Sequence, residues 1–316
     1  MKASAGNVTV RVMRESDLAD ADRIFRLAFG TFLGLPDPMA FAGDSDWIAG
    51  RWRADPTAAF VAERDGVLVG SNLATRWGSV GTFGPLSVRP DLWDAGIAHR
   101  LLDPVMERFA AWGTTHAGLF TFAQSAKHVS LYGRYGFHPR FLTAVMTKPI
   151  ATPSPSTCTV YSALPESERS TVVDSCRSLT DGLYDGLDVT REIQAVATQR
   201  LGDTILLQDG DRLLGFAVCH TGPRTEAGSR TCYIKFAALR SGSTPTDLAH
   251  LLDACESVAA THGTTHLMAG TNLARETTYR TLLARGYRTA LQGVAMHRPN
   301  DPAYSRPDVL ALDDWR

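Results

Sequence analysis

The sequence lacks any apolar run that approaches the roughly 20 residues needed to span a bilayer. Its first ten residues, MKASAGNVTV, hold one lysine and no apolar stretch of roughly 7–15 residues, so they are unlike a secretory signal. We therefore expect a soluble cytoplasmic protein with no membrane partner.

The chain also lacks an excess of charge of either sign, because 32 Lys and Arg residues face 33 Asp and Glu residues. A net charge of −1 does not favour nucleic acid or an anionic membrane surface as the main partner. We expect a small-molecule partner, and the composition is compatible with either a monomer or a homodimer.

Cysteine is scarce and unevenly placed, with five residues that all lie in the second half and never form a C-x-x-C pair. This pattern disfavours a zinc site and a disulfide framework, and we interpret the cysteines as small buried hydrophobic residues. Four histidines of the second half show no metal-ligand pattern either, so we predict no metal site. They are His220, His250, His262 and His266.

The clearest break in the chain is KPIATPSPSTCTV, residues 148–160, where three prolines and several Ser and Thr residues interrupt any periodic pattern. We predict a first domain over 1–148, a linker over 149–158 and a second domain with a C-terminal tail over 159–316. Both parts contain a hairpin signal, Asp65-Gly66 and Asp209-Gly210, and both end near a Gly-aromatic pair. This order of elements predicts a duplicated fold.

The segment 83–111 has the pattern of a strand, a turn and a helix. Residues 83–88, FGPLSV, are typical of an inner strand, RPDLWDAG turns the chain, and an apolar face with helical spacing follows from about Ala95. Unpaired N–H groups at a helix start favour a phosphate, and Gly96 and Ala98 would allow close approach to the main chain. A glycine at this position is also compatible with ordinary turn geometry.

These elements resemble the GNAT superfamily of acyl-coenzyme A-dependent N-acetyltransferases. The family's pyrophosphate loop, Gln/Arg-x-x-Gly-x-Gly/Ala, matches WDAGIA at Gly96 and Ala98, while Trp93 stands where Gln or Arg is usual. The later signature Leu-Tyr-x-x-x-Gly-Phe is complete: Leu131, Tyr132, Gly136 and Phe137. The resemblance covers most of residues 8–148 and implies an α/β fold of two tandem domains. Each would be a twisted, mixed, mainly antiparallel sheet flanked by helices.

The resemblance further implies that acetyl-coenzyme A is the cofactor. Backbone groups of the strand would hold the pantetheine arm and polarise the thioester carbonyl, and the helix start would bind the pyrophosphate, with Arg100 adding positive charge. The implied cofactor-binding residues are Leu86, Ser87, Val88, Trp93, Asp94, Ala95, Gly96, Ile97, Ala98 and Arg100.

By the same resemblance, an amine attacks the thioester directly in a ternary complex, and Tyr132 is the general acid. A phenol with a pKa of about 10 stays protonated at neutral pH; ring packing in the core is the alternative role. His128 lies one helical turn before Tyr132 and could face the same cleft, or it could be a surface or N-cap residue.

Other catalytic groups are less well defined by the sequence. Asp44 and Asp46 lie where the family covers its acceptor, but helix capping or solvation is the expected role of each, and Glu107 is expected on an exposed helix face. The apolar tail VLALDDWR is expected to dock. In some tandem GNAT enzymes, such as the enhanced-intracellular-survival aminoglycoside acetyltransferases, the C-terminal carboxylate reaches the active site, which by analogy nominates Arg316.

The second half keeps the expected order of elements but not the motifs. No Gly-x-Gly/Ala enters its helix, and Leu282 stands where the acid tyrosine should be. We expect this half to support the first. The sequence thus favours acetyl transfer to a small-molecule amine, and leaves open a protein amine, another acyl group or acceptor, or a non-catalytic acyl-coenzyme A-binding module.

Overall fold

A computed structural model describes residues 8–150 and 158–316, called here the first and second halves. The strands are β1 (Val8–Val12), β2 (Ala59–Arg64), β3 (Val67–Trp77), β4 (Val80–Phe83), β5 (Ser87–Val88), β6 (His116–Thr121), β7 (His138–Pro149), β8 (Thr159–Val160), β9 (Gly202–Asp209), β10 (Arg212–Gly222), β11 (Gly228–Leu239), β12 (His266–Asn272), β13 (Arg288–Arg298) and β14 (Ala311–Leu312). The α-helices are α1 (Leu18–Phe32), α2 (Ala49–Ala54), α3 (Ile97–Ala111), α4 (Ala126–Gly133), α5 (Glu166–Asp181), α6 (Thr190–Gln199), α7 (Pro245–Thr261) and α8 (Glu276–Ala284).

The strands of both halves join in one continuous sheet with the order β1-β2-β3-β4-β6-β13-β7-β12-β11-β10-β9-β8. Most neighbours are antiparallel, and the pairs β4/β6 and β11/β12 are parallel. Helices flank this sheet, which confirms the predicted mixed, mainly antiparallel fold class.

Each half contributes its last long strand to the sheet of the other half. β13, from the second half, pairs with β6, whereas β7, from the first half, pairs with β12. β7 and β13 then pair with each other at the junction. This exchange is not evident from the sequence, because a strand pattern does not specify which edge the strand will join. The domain boundaries at 148 and 159 stay predictions, and residues 151–157 of the expected linker lie outside the described residues.

The duplication appears in corresponding elements of the two halves. The predicted hairpins are present as β2/β3 and β9/β10, and Gly66 and Gly210 adopt positive φ in their turns. The pairs β4/β6 and β11/β12 correspond as well. α3 packs Leu101 and Leu102 against the first half of the sheet, as α7 packs Leu251 and Leu252 against the second.

Two further findings bear on the sequence expectations. No helix of the described residues is long and apolar enough to cross a membrane. The five cysteines are free thiols, and four of them are buried: Cys176, Cys219, Cys232 and Cys255.

Candidate active site

A break between β4 and β5 opens a cleft in the first half of the sheet. β4 pairs with β6 over residues 80–82, and the chain then leaves β6 and continues as β5, which pairs with β3. The register on β3 shifts by one residue between the two segments, as in a β-bulge. The prediction of one strand over 83–88 was therefore wrong, because Gly84 has a φ of 145° and Pro85 has no N–H for the ladder.

Arg51, from α2, stabilises this break. Its guanidinium donates to the carbonyl oxygen of Gly84 at 2.8 Å and forms an ion pair with Glu226 of the second half at 2.7 Å. The second half thus helps to fix the strand break through a buried charged residue. Sequence reasoning missed Arg51, since nothing in its local pattern distinguishes it from a surface arginine.

The cleft has a volume of about 810 Å³, within the range typical of small-molecule sites. Its walls are formed by residues 83–88, the turn 92–99, the end of β6, α1 with the segment that follows it, and α4. Most of its lining side chains are apolar or aromatic.

The turn before α3 forms one end of the cleft. Gly96 is the N-cap residue with a φ of 77°, and no side chain caps the helix, so its first N–H groups are open to an external acceptor. A Cβ built on Gly96 would meet no protein atom within 4 Å, which shows that the face of the loop is open. Lys127 forms an ion pair with Asp94 at 2.6 Å beside this turn and adds a positive charge that the motifs did not indicate.

Seven of the residues predicted to bind the cofactor line this cleft together: Leu86, Val88, Trp93, Asp94, Gly96, Ile97 and Ala98. Three others are not among its lining residues. Ser87 is buried against β3, Ala95 packs against the core, and the Arg100 guanidinium donates to the carbonyl oxygen of Val8 at 2.6 Å. Side chains alternate between the two faces of a strand, so Ser87 is absent from a cleft that Leu86 and Val88 line. The direction of the Arg100 side chain depends on tertiary structure.

Trp93, the departure from the family motif, is held within the loop itself. Its indole Nε1 donates to the carbonyl oxygen of Val88 at 2.8 Å, and Lys127 Nζ lies 5.8 Å from the ring centroid. The indole therefore ties the turn to β5 and forms part of the cleft wall.

The Leu-Tyr-x-x-x-Gly-Phe signature has a physical explanation in this fold. Gly136 has a φ of 80°, and the Phe137 amide donates to the carbonyl oxygen of Tyr132 at 3.2 Å, as in a Schellman motif that ends a helix. The rings of Tyr132 and Phe137 both pack edge-on against Phe83, at 5.7 and 5.6 Å. The motif thus fixes Tyr132 against the strand that borders the cleft.

Tyr132 and His128 both line the cleft from α4. Burial raises the pKa of Tyr132 above its ordinary value, so the phenol stays protonated at neutral pH. Burial, and then the nearby Lys127, lower the pKa of His128, so its imidazole is neutral at pH 7. The His128 ring lies 4.9 Å from the ring of Phe32.

The carboxylates considered from the sequence have structural contacts. Asp46 Oδ1 accepts from the amides of Ile48 and Ala49 at the start of α2, and Asp44 accepts from the amide and hydroxyl of Ser229. Glu107 is exposed on α3. None of these three lines the cleft among the described residues.

The tail docks as expected and ends at the cleft of the first half. Leu312 and Trp315 are buried, and Trp315 and Arg316 line the cleft. The carbonyl oxygen of Arg316 accepts from Arg51 at 2.5 Å, and its guanidinium forms an ion pair with Asp314 at 3.1 Å. A catalytic role for Arg316 stays a prediction.

In the second half, the same tail fills the gap that corresponds to the cleft. β14 pairs with β11 at Ala237 and Ala238, beyond the residues that pair β11 with β12, and it also contacts β12. Arg275, with a fully buried side chain, donates to the carbonyl oxygen of Ala311 at 3.0 Å and pairs with Asp313 at 2.9 Å. The helix-ending turn at Gly286 persists, but Leu282 replaces the tyrosine and is buried.

The comparisons with known proteins concern the family and the fold of the chain. Residues 21–137 match the family model described as the acetyltransferase (GNAT) family. Residues 21–137 form a GNAT acetyltransferase domain. This match supports an acyltransferase, and the loop at 93–98 and the whole signature at 131–137 fall within the matched segment.

Solved structures extend the likeness in fold to the second half. A proposed acetyltransferase from Pyrococcus horikoshii matches with a TM-score of 0.68 at 12% identity, covering 98% of this chain and 95% of that one. A GCN5-related N-acetyltransferase from Sphaerobacter thermophilus matches with a TM-score of 0.61 at 15% identity, covering 92% and 95%. A tandem GNAT protein from the clavulanic acid biosynthesis pathway matches with a TM-score of 0.57 at 11% identity, covering 92% and 98%. At these identities the likeness shows the tandem GNAT fold alone, and no curated protein matched the sequence.

Proposed function

We propose that the chain transfers an acetyl group from acetyl-coenzyme A to the amine of a small molecule by direct attack in a ternary complex. The observation that carries this proposal is that an uncapped helix start, a protonated tyrosine and a neutral histidine line one cleft. Each group meets one requirement of the reaction.

The residues present fit the coenzyme. The open N–H groups at the start of α3, the absence of a side chain on Gly96 and the charge of Lys127 suit a pyrophosphate. β5 pairs with β3, and no described strand covers its other edge. The Val88 carbonyl oxygen accepts from Trp93, and the other backbone groups of this edge remain for the amides of a pantetheine arm. When bound, acetyl-coenzyme A supplies the acyl group as an activated thioester.

Two side chains would carry out the proton transfers of the reaction. His128 Nδ1 or Nε2, neutral at pH 7, takes a proton from the acceptor ammonium and leaves the amine nucleophilic. The Tyr132 hydroxyl would give its proton to the departing sulfur, and the proton that the nitrogen loses as the amide forms would restore the phenol. The apolar walls exclude water and so disfavour hydrolysis.

A calorimetric titration with acetyl-coenzyme A, followed by a thiol-release assay over a panel of amines, tests the proposal. We expect micromolar binding and amine-dependent release of coenzyme A. Binding without release for any amine would favour the alternative of a non-catalytic acyl-coenzyme A-binding module. Release only with a longer acyl donor would keep the transfer and change the acyl group, and no binding at all would overturn the proposal.

A further inference from the structure

The part of the cleft around His128 has an aromatic wall. The name aromatic wall is used below for these six residues: Phe29, Phe32, Phe41, Trp47, Phe120 and Phe122. The rings of Phe29 and Phe41 stack with centroids 5.5 Å apart, and the rings of Phe32 and Phe122 lie 4.9 Å apart. Phe29 and Phe120 each lie within 6.4 Å of Phe122, so the five phenylalanines form one surface, and Trp47 lines the same cleft.

The aromatic wall is next to the proposed base. The ring of Phe32 lies 4.9 Å from the His128 ring, so an amine that reaches this imidazole brings the rest of its molecule against the wall. The pyrophosphate would not compete for this surface, because the open N–H groups and Lys127 lie at the α3 end. Aromatic walls bind flat apolar groups by ring packing and by removal of apolar surface from water.

The charges of the cleft disfavour an acceptor with several positive groups. Among the described side chains that line it, that of Asp94 is the one carboxylate, and it is paired with Lys127 at the far end. The remaining charged lining residues, Arg134 and Arg316, are cations. A second ammonium would find no unpaired side-chain carboxylate among these residues, and the many hydroxyls of an amino sugar would lose their hydrogen bonds to water against the rings.

We propose that the acceptor is a primary monoamine carried on an aromatic body, such as an arylalkylamine. This inference rests on the proposed function, since it assigns the amine to His128. The members of the aromatic wall then determine specificity, and Phe32 positions the aromatic body relative to the imidazole.

Binding and turnover of three probes test this inference on the full chain loaded with free coenzyme A. Phenethylamine represents the arylalkylamines, spermidine the polyamines and glucosamine the amino sugars. We expect phenethylamine to bind at least ~10-fold more tightly than either of the others, as a well-placed apolar contact allows. In steady state with acetyl-coenzyme A, the same order is expected in kcat/KM.

Matched variants separate the ring from general packing. Phe32→Ala should weaken phenethylamine binding about 10-fold or more, whereas Phe32→Tyr keeps the ring and should stay within about twofold. Leu33 lines the cleft and is 40% exposed, so a polar side chain at this position should remain in contact with water. Leu33→Asp supplies the missing carboxylate and should tighten spermidine binding relative to Leu33→Asn. Thermal melting confirms that each variant is folded.

The outcomes distinguish this inference from the proposed function. Preferred binding of phenethylamine with acetylation supports the inference. Preferred binding without acetylation of any amine would keep the aromatic wall as an arylalkylamine-binding surface and would overturn the proposed function. Equal or tighter binding of spermidine or glucosamine overturns the inference, and acetylation of either would leave the proposed function intact. Equal phenethylamine binding by folded Phe32→Ala and the parent chain would also overturn it.

Discussion

Tyr132 lines the cleft, its hydroxyl forms no hydrogen bond with any described residue, and burial alone raises the pKa of this phenol. The ring, by contrast, is fixed by Phe83 and by the helix-ending turn at Gly136. A hydroxyl that contributes nothing to the packing of its own ring is available for chemistry, and its removal should cost little stability.

Tyr132→Phe should lower kcat by about 10²-fold, the usual contribution of a general acid, and leave the affinity for acetyl-coenzyme A unchanged. Thiol-release kinetics and calorimetry measure the two quantities. Tyr135→Phe is the matched control, because the Tyr135 hydroxyl bonds to Asp103 and to the carbonyl oxygen of His99 instead of lining the cleft. Equal kcat in Tyr132→Phe and the parent chain would remove the acid role.

The pKa of His128 predicts how the activity changes at acidic pH. Its pKa lies below the ordinary value of 6.5 because burial, and then Lys127, disfavour the charged imidazole. Activity should therefore be constant around pH 7 and fall only as the pH drops below 6.5. His128→Gln should lose about 10²-fold in kcat/KM and abolish that acid limb.

The control is His138→Gln, which changes an exposed histidine outside the cleft and should keep both the rate and the profile. If His128→Gln retained the acid limb, another group would be the base.

At the scale of elements, the sequence predicted what depends on local pattern. α3 buries Ile97, Leu101 and Leu102 on the face that the spacing indicated, and the hairpin at Asp65-Gly66 is present. The loop and the tyrosine motif were recognised because their function requires particular residue types at fixed spacing, such as a positive φ at Gly96.

Features that depend on tertiary pairing were not predictable. Pro85 was a local sign of the break between β4 and β5, but the one-residue shift is a register against β3, and Arg51 acquires its role from Gly84 and Glu226, which are distant in sequence. The aromatic wall joins α1 to the residue after β6, and phenylalanines at helical spacing, such as Phe25, Phe29 and Phe32, are equally typical of an ordinary core face.

The start of α3 predicts a variant that blocks the coenzyme. Gly96→Glu places a bulky anion where the pyrophosphate would bind, so acetyl-coenzyme A affinity should fall by at least ~100-fold, beyond the ~1–2 kcal/mol of backbone strain at positive φ. Calorimetry measures the affinity and thermal melting the strain.

Gly113→Glu supplies the matched control at the other end of α3. Gly113 has a φ of 67° and, like Gly96, no atom within 4 Å of a built Cβ, but it lies outside the cleft lining. Gly113→Glu therefore introduces the same backbone strain and the same negative charge at a position where no ligand is proposed to bind. If both variants lost affinity equally, the effect would be one of stability and the loop would not hold the coenzyme.

At the scale of the whole molecule, a histidine pair joins the two halves. His116 on β6 and His297 on β13 are fully buried, with Nε2 and Nδ1 3.0 Å apart. Burial lowers the pKa of His116 from 6.5 to about 4, and burial together with His116 lowers that of His297 to about 3. In the unfolded chain both would titrate near 6.5.

The free energy of unfolding should therefore be highest above pH 6.5 and should decline as the pH falls toward 4, because the unfolded chain then binds protons that the folded chain excludes. By pH 5 each histidine should cost about 2 kcal/mol of unfolding free energy. Urea unfolding at pH 7 and pH 5 measures the difference. His116→Gln should reduce this pH dependence, and an unchanged difference in a folded variant would contradict the assignment.

Because β13 completes the sheet beside β6 and β7 completes it beside β12, neither half contains all the strands of its own sheet. A chain cut after residue 154 leaves an open strand edge on each fragment, which favours aggregation or pairing with the other fragment.

Expressed alone, each fragment should be unfolded or aggregated by circular dichroism and size exclusion, and neither should bind acetyl-coenzyme A. Co-expressed, the two should copurify, unfold in one transition and bind the coenzyme as the intact chain does, because the exchanged strands and the Arg51–Glu226 pair are then restored. If the first fragment folds and binds the coenzyme alone, β7 can take the place of β13 beside β6. The strand exchange would then join the two halves without being required for the fold.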